Sequence, residues 1–181
     1  RMNPSSRATL VRPAGPVDPE LSCLSVQLAE GRPLCVLGNY SLHYVGGVPA
    51  RTVSADYFAV FANHLEKLLG VQEQSPDFVA MLSNGTSGDV NNINFSKRGP
   101  RLEPFEKMTQ VGELVAARVA EGLKSVEYRD WVPLHAAARQ LALSVRRPNE
   151  ELRQYMSEVE AQPTDAKPYH AHERTYAERL K

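Results

Sequence analysis

Residues 78–94 read FVAMLSNGTSGDVNNIN, an apolar run followed by a polar loop. The apolar residues at 78–82 predict a buried strand. Residues 83–94 then hold two glycines, an aspartate and four asparagines. Such residues are typical of a turn, but also of a loop that presents N–H groups and side-chain oxygens to a ligand. We expect this junction to decide both the fold and the position of a site.

The sequence before this junction predicts a hairpin, a loop and a helix. Residues 21–29 alternate loosely, and residues 34–40 form a nearly continuous apolar run after a turn. The second of these strands is expected to be buried on both faces. A loop that contains His43 follows, and an amphipathic helix is then predicted over residues 55–69.

The order strand, helix, strand predicts a parallel pair joined by a helical crossover. Both connecting loops then leave carboxyl strand ends at the same edge of the sheet, where α/β folds bind ligands. We therefore expect His43 and residues 83–94 to face one crevice. The predicted fold class is α/β, with a mixed sheet and helical crossovers, in a single partial domain over residues 1–181. Residues 1–20, rich in proline, are an irregular lead-in.

The rest of the chain predicts three helices and one strand. Apolar spacing favours a helix over 105–126, and alternation over 141–145 favours a half-buried strand. Further helices are expected from 148 to about 162 and from 169 to 181.

The two cysteines are predicted to be free. With Gly31-Arg32 at the centre of the hairpin turn, Cys35 faces Leu28 and Cys23 faces Tyr40. That register is far too distant for a disulfide, and both are interpreted as packing residues.

Composition excludes some classes of function. Lysine plus arginine equals aspartate plus glutamate, at 21 each, which argues against a nucleic-acid surface. No apolar run reaches the roughly 18 residues that a membrane span needs. The chain begins with an arginine, so we expect an internal piece of a longer protein. Its localisation and oligomeric state cannot be read from this chain.

Several side chains are candidates for chemistry. His43 could bind a metal, although a histidine among apolar neighbours is often only packed. Gly85 and Gly88 could let N–H groups bind an oxyanion. Thr86 or Ser87 could be a nucleophile if activated, and each could equally be a turn hydroxyl.

Three segments, in order, resemble the N-terminal catalytic domain of the neutral/alkaline (non-lysosomal) ceramidases. They are Asn39–Tyr44 (NYSLHY), Ser54–Tyr57 (SADY) and Ser83–Asn92, which contains GDV. The resemblance covers about residues 17–95 and looks closest to bacterial ceramidase-like members. This family consists of zinc-dependent amidases that cleave the N-acyl bond of ceramide.

The resemblance implies a zinc cofactor with His43 as one ligand, and a lipid or other small amide or ester substrate. It also implies a secreted, periplasmic or cell-surface location. Asp89 would order the loop, and Gly85 to Asn92 would orient the scissile amide and its oxyanion. Asn91 stands where the family has its reacting serine, and Asn92 stands where it has a proline.

The asparagine at this position changes the expected chemistry. An amide cannot be activated as a hydroxyl can, so either water attacks directly or Ser87 substitutes. The family's other zinc ligands have no match in residues 1–181, so this chain alone is predicted to be inactive. Two alternatives stay open: a related hydrolase of another ester or amide, and a non-catalytic binding domain of the same fold.

Overall fold

The computed structural model describes residues 10–13, 15–71, 77–88, 90–97, 99–145, 147–170 and 172–179. These residues form two compact units that divide between Val132 and Pro133, and each unit is described by itself. The predicted lead-in over 1–20 lies partly outside the described residues, and its described part contains no helix or strand. That the whole chain is a single domain stays a prediction.

The first unit is built on a three-stranded mixed sheet in the order β1–β2–β3. The strands are β1 (Leu21–Gln27), β2 (Pro33–Tyr40) and β3 (Val79–Asn84). β1 and β2 form an antiparallel hairpin, whereas β2 and β3 are parallel. Helix α1 (Asp56–Leu69) lies between the two parallel strands in the chain. The predicted α/β class, with a mixed sheet and a helical crossover, is confirmed.

Helices α1 and α2 (Glu106–Leu123) pack on one face of the sheet. Each helix carries apolar residues at helical spacing, so each has one stripe to bury. The core that they share with the sheet includes Val36, Phe61, Leu65, Val115 and Val119.

The register of the hairpin differs from the predicted one. Cys35 lies opposite Val26 and not opposite Leu28. The N–H of Gly31 donates to the carbonyl of Leu28 at 2.9 Å, which keeps Leu28 inside the turn. Cys35 and Cys23 are nevertheless both free, as predicted, but Cys23 is exposed and is therefore not the packing residue that was expected.

β2 is buried on one face only, although both faces were predicted to be buried. Val36 and Gly38 are buried towards the helices, whereas Cys35 and Leu37 stay partly exposed. The neighbouring strands also show exposed apolar residues: Leu24, Val26, Val79 and Met81. The described part of this unit therefore leaves the second face of the sheet open.

The second unit contains a helical hairpin formed by α3 (Glu150–Ala161) and α4 (Glu173–Glu178). The buried carboxylate of Glu173 joins them, because it accepts hydrogen bonds from the Tyr155 hydroxyl and from the Tyr169 N–H at 2.8 Å. The bond from Tyr155, followed by the bond from Tyr169, holds the pKa of Glu173 below its usual value.

Residues 141–145 form no strand, so this prediction is wrong. Leu141, Leu143 and Val145 alternate as expected, but they are 62%, 83% and 84% exposed. A strand needs a neighbour to pair its backbone groups. Among the described residues, only β1, β2 and β3 form a sheet, and none of them pairs with this segment.

Candidate functional site

The carboxyl ends of β2 and β3 meet at one edge of the sheet, where Tyr40 lies opposite Asn84. Two backbone hydrogen bonds join the segments that leave these ends. The N–H of Gly85 donates to the Tyr40 carbonyl at 3.1 Å, and the N–H of His43 donates to the Val90 carbonyl at 3.0 Å. The structure thus brings the His43 loop and the loop after β3 together, as the parallel order of the strands predicts.

The first residues of α1 anchor the His43 loop. The Asp56 carboxylate accepts hydrogen bonds from the N–H of Val45 at 2.8 Å and of Gly46 at 2.6 Å. The buried hydroxyl of Tyr57 donates to the Leu42 carbonyl at 2.9 Å. Burial, and then the charge of Asp56, raise the pKa of Tyr57 to about 12. Asp56 and Tyr57 both belong to the SADY segment noted in the sequence. Their role as anchors was not predicted, because it depends on how the His43 loop folds back onto α1.

The ring of His43 is oriented in a way that suits a metal ligand. It is half-buried, and its Nδ1 lies 3.2 Å from the Tyr44 carbonyl oxygen. A carbonyl only accepts, so in the neutral ring Nδ1 is the nitrogen that carries the proton and Nε2 the one with the lone pair, as is common in metal-binding histidines.

The described residues do not complete a zinc site around His43. A catalytic zinc typically takes three protein ligands. Within the described part of the chain, no three side chains of His, Cys, Asp or Glu lie together so as to hold a metal ion. This structure therefore offers one suitable ligand, and a complete set would need others.

The hydroxyl of Ser87 is bound to the amide of Asn84. With its nitrogen and oxygen assigned from their partners, this amide donates to the carbonyls of Leu42 at 2.8 Å and Tyr40 at 3.2 Å. Its oxygen accepts from the Ser87 hydroxyl at 3.0 Å. An amide oxygen is not a base that could activate a serine, so this contact orders the loop. The role of Asn84 was not predicted from the sequence, because it depends on the pairing of β2 with β3.

The two glycines of the loop have different surroundings. A Cβ at Gly85 would clash with the hydroxyl of Ser41, whereas a Cβ at Gly88 would meet nothing within 4 Å. The sequence predicted that the N–H of Gly85 could bind an oxyanion. In the structure this N–H already donates to the Tyr40 carbonyl at the end of β2. Thr86 and Gly88 are exposed, and Asp89 lies outside the described residues.

Asn91 and Asn92 line a pocket of about 350 Å³ between their loop and α2. The Nδ2 of Asn92 also donates to the Val45 carbonyl at 3.5 Å, a long hydrogen bond to the His43 loop. Lys107 contributes a positive charge to the pocket. The apolar part of the wall includes Leu42, Val111, Leu114 and Val115. This pocket was not predicted from the sequence, because α2 reaches the loop only in the folded chain.

No protein-family model, curated protein or solved structure matches this chain. Among the described residues, no helix is long and apolar enough to cross a membrane.

Proposed function

We propose that this chain forms one wall of the active site of a zinc-dependent amidohydrolase. The enzyme would resemble the neutral ceramidases and cleave the N-acyl amide bond of ceramide-like lipids. The observation that carries the proposal is the hydrogen bond from the His43 N–H to the Val90 carbonyl, 3.0 Å long. It places a histidine beside the loop in which the family has its reacting serine.

In this proposal His43 binds zinc through Nε2, while the Tyr44 carbonyl fixes the ring through Nδ1. Asp56 and Tyr57 hold the loop that carries the ring. Zinc, when bound, would act as a Lewis acid on the amide carbonyl. The other ligands are proposed to come from outside the described residues, because these supply no group of three.

The attacking group in this proposal is water. Asn91 stands at the serine position of the family, and its amide nitrogen is a poor nucleophile because its lone pair is delocalised into the carbonyl group. The hydroxyl of Ser87 is held by Asn84, which supplies no base. Residues 85–92 are therefore proposed to orient the scissile amide rather than to attack it.

The hydrogen bond between Asn84 and Ser87 favours a second candidate, a non-catalytic binding domain of the same fold. The asparagine at position 91 also suits a hydrolase of another ester or amide. Replacing Asn91 with the serine of the family distinguishes these two candidates from a ceramidase-like enzyme. If Asn91→Ser gives no gain in hydrolysis of an N-acylsphingosine, the result favours a hydrolase of another ester or amide over a ceramidase.

The main test is hydrolysis of a short-chain N-acylsphingosine by the longest natural reading frame that contains this chain. His43→Ala should lower kcat/KM by more than about 100-fold, since even residues that merely support a metal ligand matter by 10–100-fold. His64→Ala, a half-buried histidine on α1, is the matched control and should keep the parent activity. Equal activity of the two variants would contradict the role of His43. If the parent protein does not hydrolyse the N-acylsphingosine, the result favours the non-catalytic binding domain.

A further inference from the structure

Asn84 and Gly85 form the one Asn-Gly pair in the sequence. Asparagine is among the thermally labile residues, and a glycine after it leaves the backbone nitrogen unhindered by a side chain. We infer that this pair is a site of spontaneous deamidation, which the closed edge between β2 and β3 protects. The inference concerns a chemical modification and does not rest on the proposed enzyme activity.

The reaction requires only a base and water. The base removes the proton of the Gly85 backbone nitrogen, which then attacks Cγ of the Asn84 side chain. The bond from this nitrogen to Cγ forms, the bond from Cγ to Nδ2 breaks, and Nδ2 takes up a proton and leaves as ammonia. Water then opens the cyclic imide at either carbonyl, so the product is an aspartate or an isoaspartate at position 84.

The structure holds both reacting groups in hydrogen bonds. The N–H of Gly85 donates to the Tyr40 carbonyl at 3.1 Å, so its proton is engaged. The amide of Asn84 donates to the carbonyls of Leu42 at 2.8 Å and Tyr40 at 3.2 Å, and it accepts from the Ser87 hydroxyl at 3.0 Å. Cyclisation has to break these bonds, since Cγ must move to the Gly85 nitrogen and that nitrogen must lose its proton.

The protection is local, because Asn84 is the last residue of β3 and its pair with Tyr40 is the last pair of the parallel ladder. The ends of an element open at a lower free energy than its centre. When opening and closing are fast relative to the chemistry, the rate of modification is the rate in an unfolded chain multiplied by the open fraction. Deamidation at Asn84 therefore reports how often this edge opens.

The product weakens the edge at which it forms. An aspartate at position 84 has no NH₂ group, so each of the carbonyls of Leu42 and Tyr40 would lose a donor and face a carboxylate instead. An isoaspartate also lengthens the backbone by a methylene group, which disturbs the bond from Gly85 to Tyr40. Modification thus loosens the His43 loop from the end of β3.

The test is the rate of deamidation of the 181-residue chain in mildly alkaline buffer, measured by peptide mapping with mass spectrometry beside a synthetic peptide of residues 80–88. The folded chain should react at Asn84 at least about tenfold more slowly than the peptide. Ser87→Ala removes a hydrogen bond to the Asn84 amide, so it should accelerate the folded chain by about two- to tenfold and leave the peptide unaffected. Ser125→Ala, the matched control, removes a hydrogen bond to the Gly122 carbonyl and should change neither rate.

Asn84→Asp tests the consequence of the modification. Amide hydrogen exchange at His43 and Gly85 should be at least about tenfold faster in this variant than in the parent, whereas exchange in the centre of α1 should be unchanged. Equal rates in the folded chain and the peptide, an unchanged rate in Ser87→Ala, or parental exchange at His43 and Gly85 would overturn the inference. Faster exchange throughout α1 would contradict the local release of the loop.

Discussion

Gly85 lies close against the end of β2 and the residue that follows it, Ser41. A side chain there would clash with Ser41 and lie 3.2 Å from the Oδ1 of Asn39, while the bond to Tyr40 prevents the backbone from moving away. Gly85→Ala should therefore lower the free energy of unfolding by about 1–3 kcal/mol in urea titrations. Gly88→Ala, which has open space around it, should change it by less than about 0.5 kcal/mol. Equal losses would show that the contact at Gly85 is not tight.

Tyr57 should make stability depend on alkaline pH. Its pKa is raised to about 12, whereas an unfolded tyrosine ionises near about 10. The folded state therefore keeps the proton longer, and this contribution is complete below about pH 10 and is lost between about pH 10 and 12.

Tyr57→Phe tests this pH dependence. Because the hydroxyl bond to Leu42 is lost, the variant should be about 1 kcal/mol less stable near neutral pH. It should then lose less stability than the parent in urea titrations at about pH 11. Tyr44→Phe, at a tyrosine that is 62% exposed, should follow the parent. The same alkaline loss in Tyr57→Phe and the parent would contradict the buried position of the hydroxyl.

The crossing of α1 and α2 depends on a glycine. A Cβ at Gly112 would lie 2.6 Å from the Cβ of Val60 and 2.9 Å from the Tyr57 carbonyl oxygen. Gly112→Ala should thus destabilise the chain by about 1–3 kcal/mol, although alanine favours helices. Gly122→Ala, in the same helix but with open surroundings, should stabilise it by up to about 1 kcal/mol. A stabilising Gly112→Ala would mean that the helices do not pack this closely.

The helices were easier to predict than the strand contacts, for a physical reason. An apolar stripe with helical period, as in residues 55–69, is local information. The hairpin register depends on which residues the turn includes. Leu28 makes two backbone hydrogen bonds within the turn, and the strand pairing shifts by one residue between Val26 and Gln27. Residues 141–145 have the alternation of a strand, but alternation cannot supply the neighbouring strand that they would need.

The arrangement of the first unit followed from chain order. A parallel pair with a helix between its strands places both following loops at one edge, so His43 was expected beside the loop after β3. The side chains that fix this edge, Asn84 and Asp56, were not identified as anchors. Their partners are backbone groups of the His43 loop, and the fold alone brings these within reach. Lys107 was missed for the same reason.

The central claim is that His43 is a zinc ligand at the edge shared with residues 85–92. The most direct measurement is the zinc-to-protein ratio, by mass spectrometry, of the longest natural reading frame that contains this chain, compared with its His43→Ala and His64→Ala variants. We predict about one zinc per chain in the parent and in His64→Ala, and a large loss of zinc in His43→Ala. Zinc content in His43→Ala equal to that of the parent would contradict the claim.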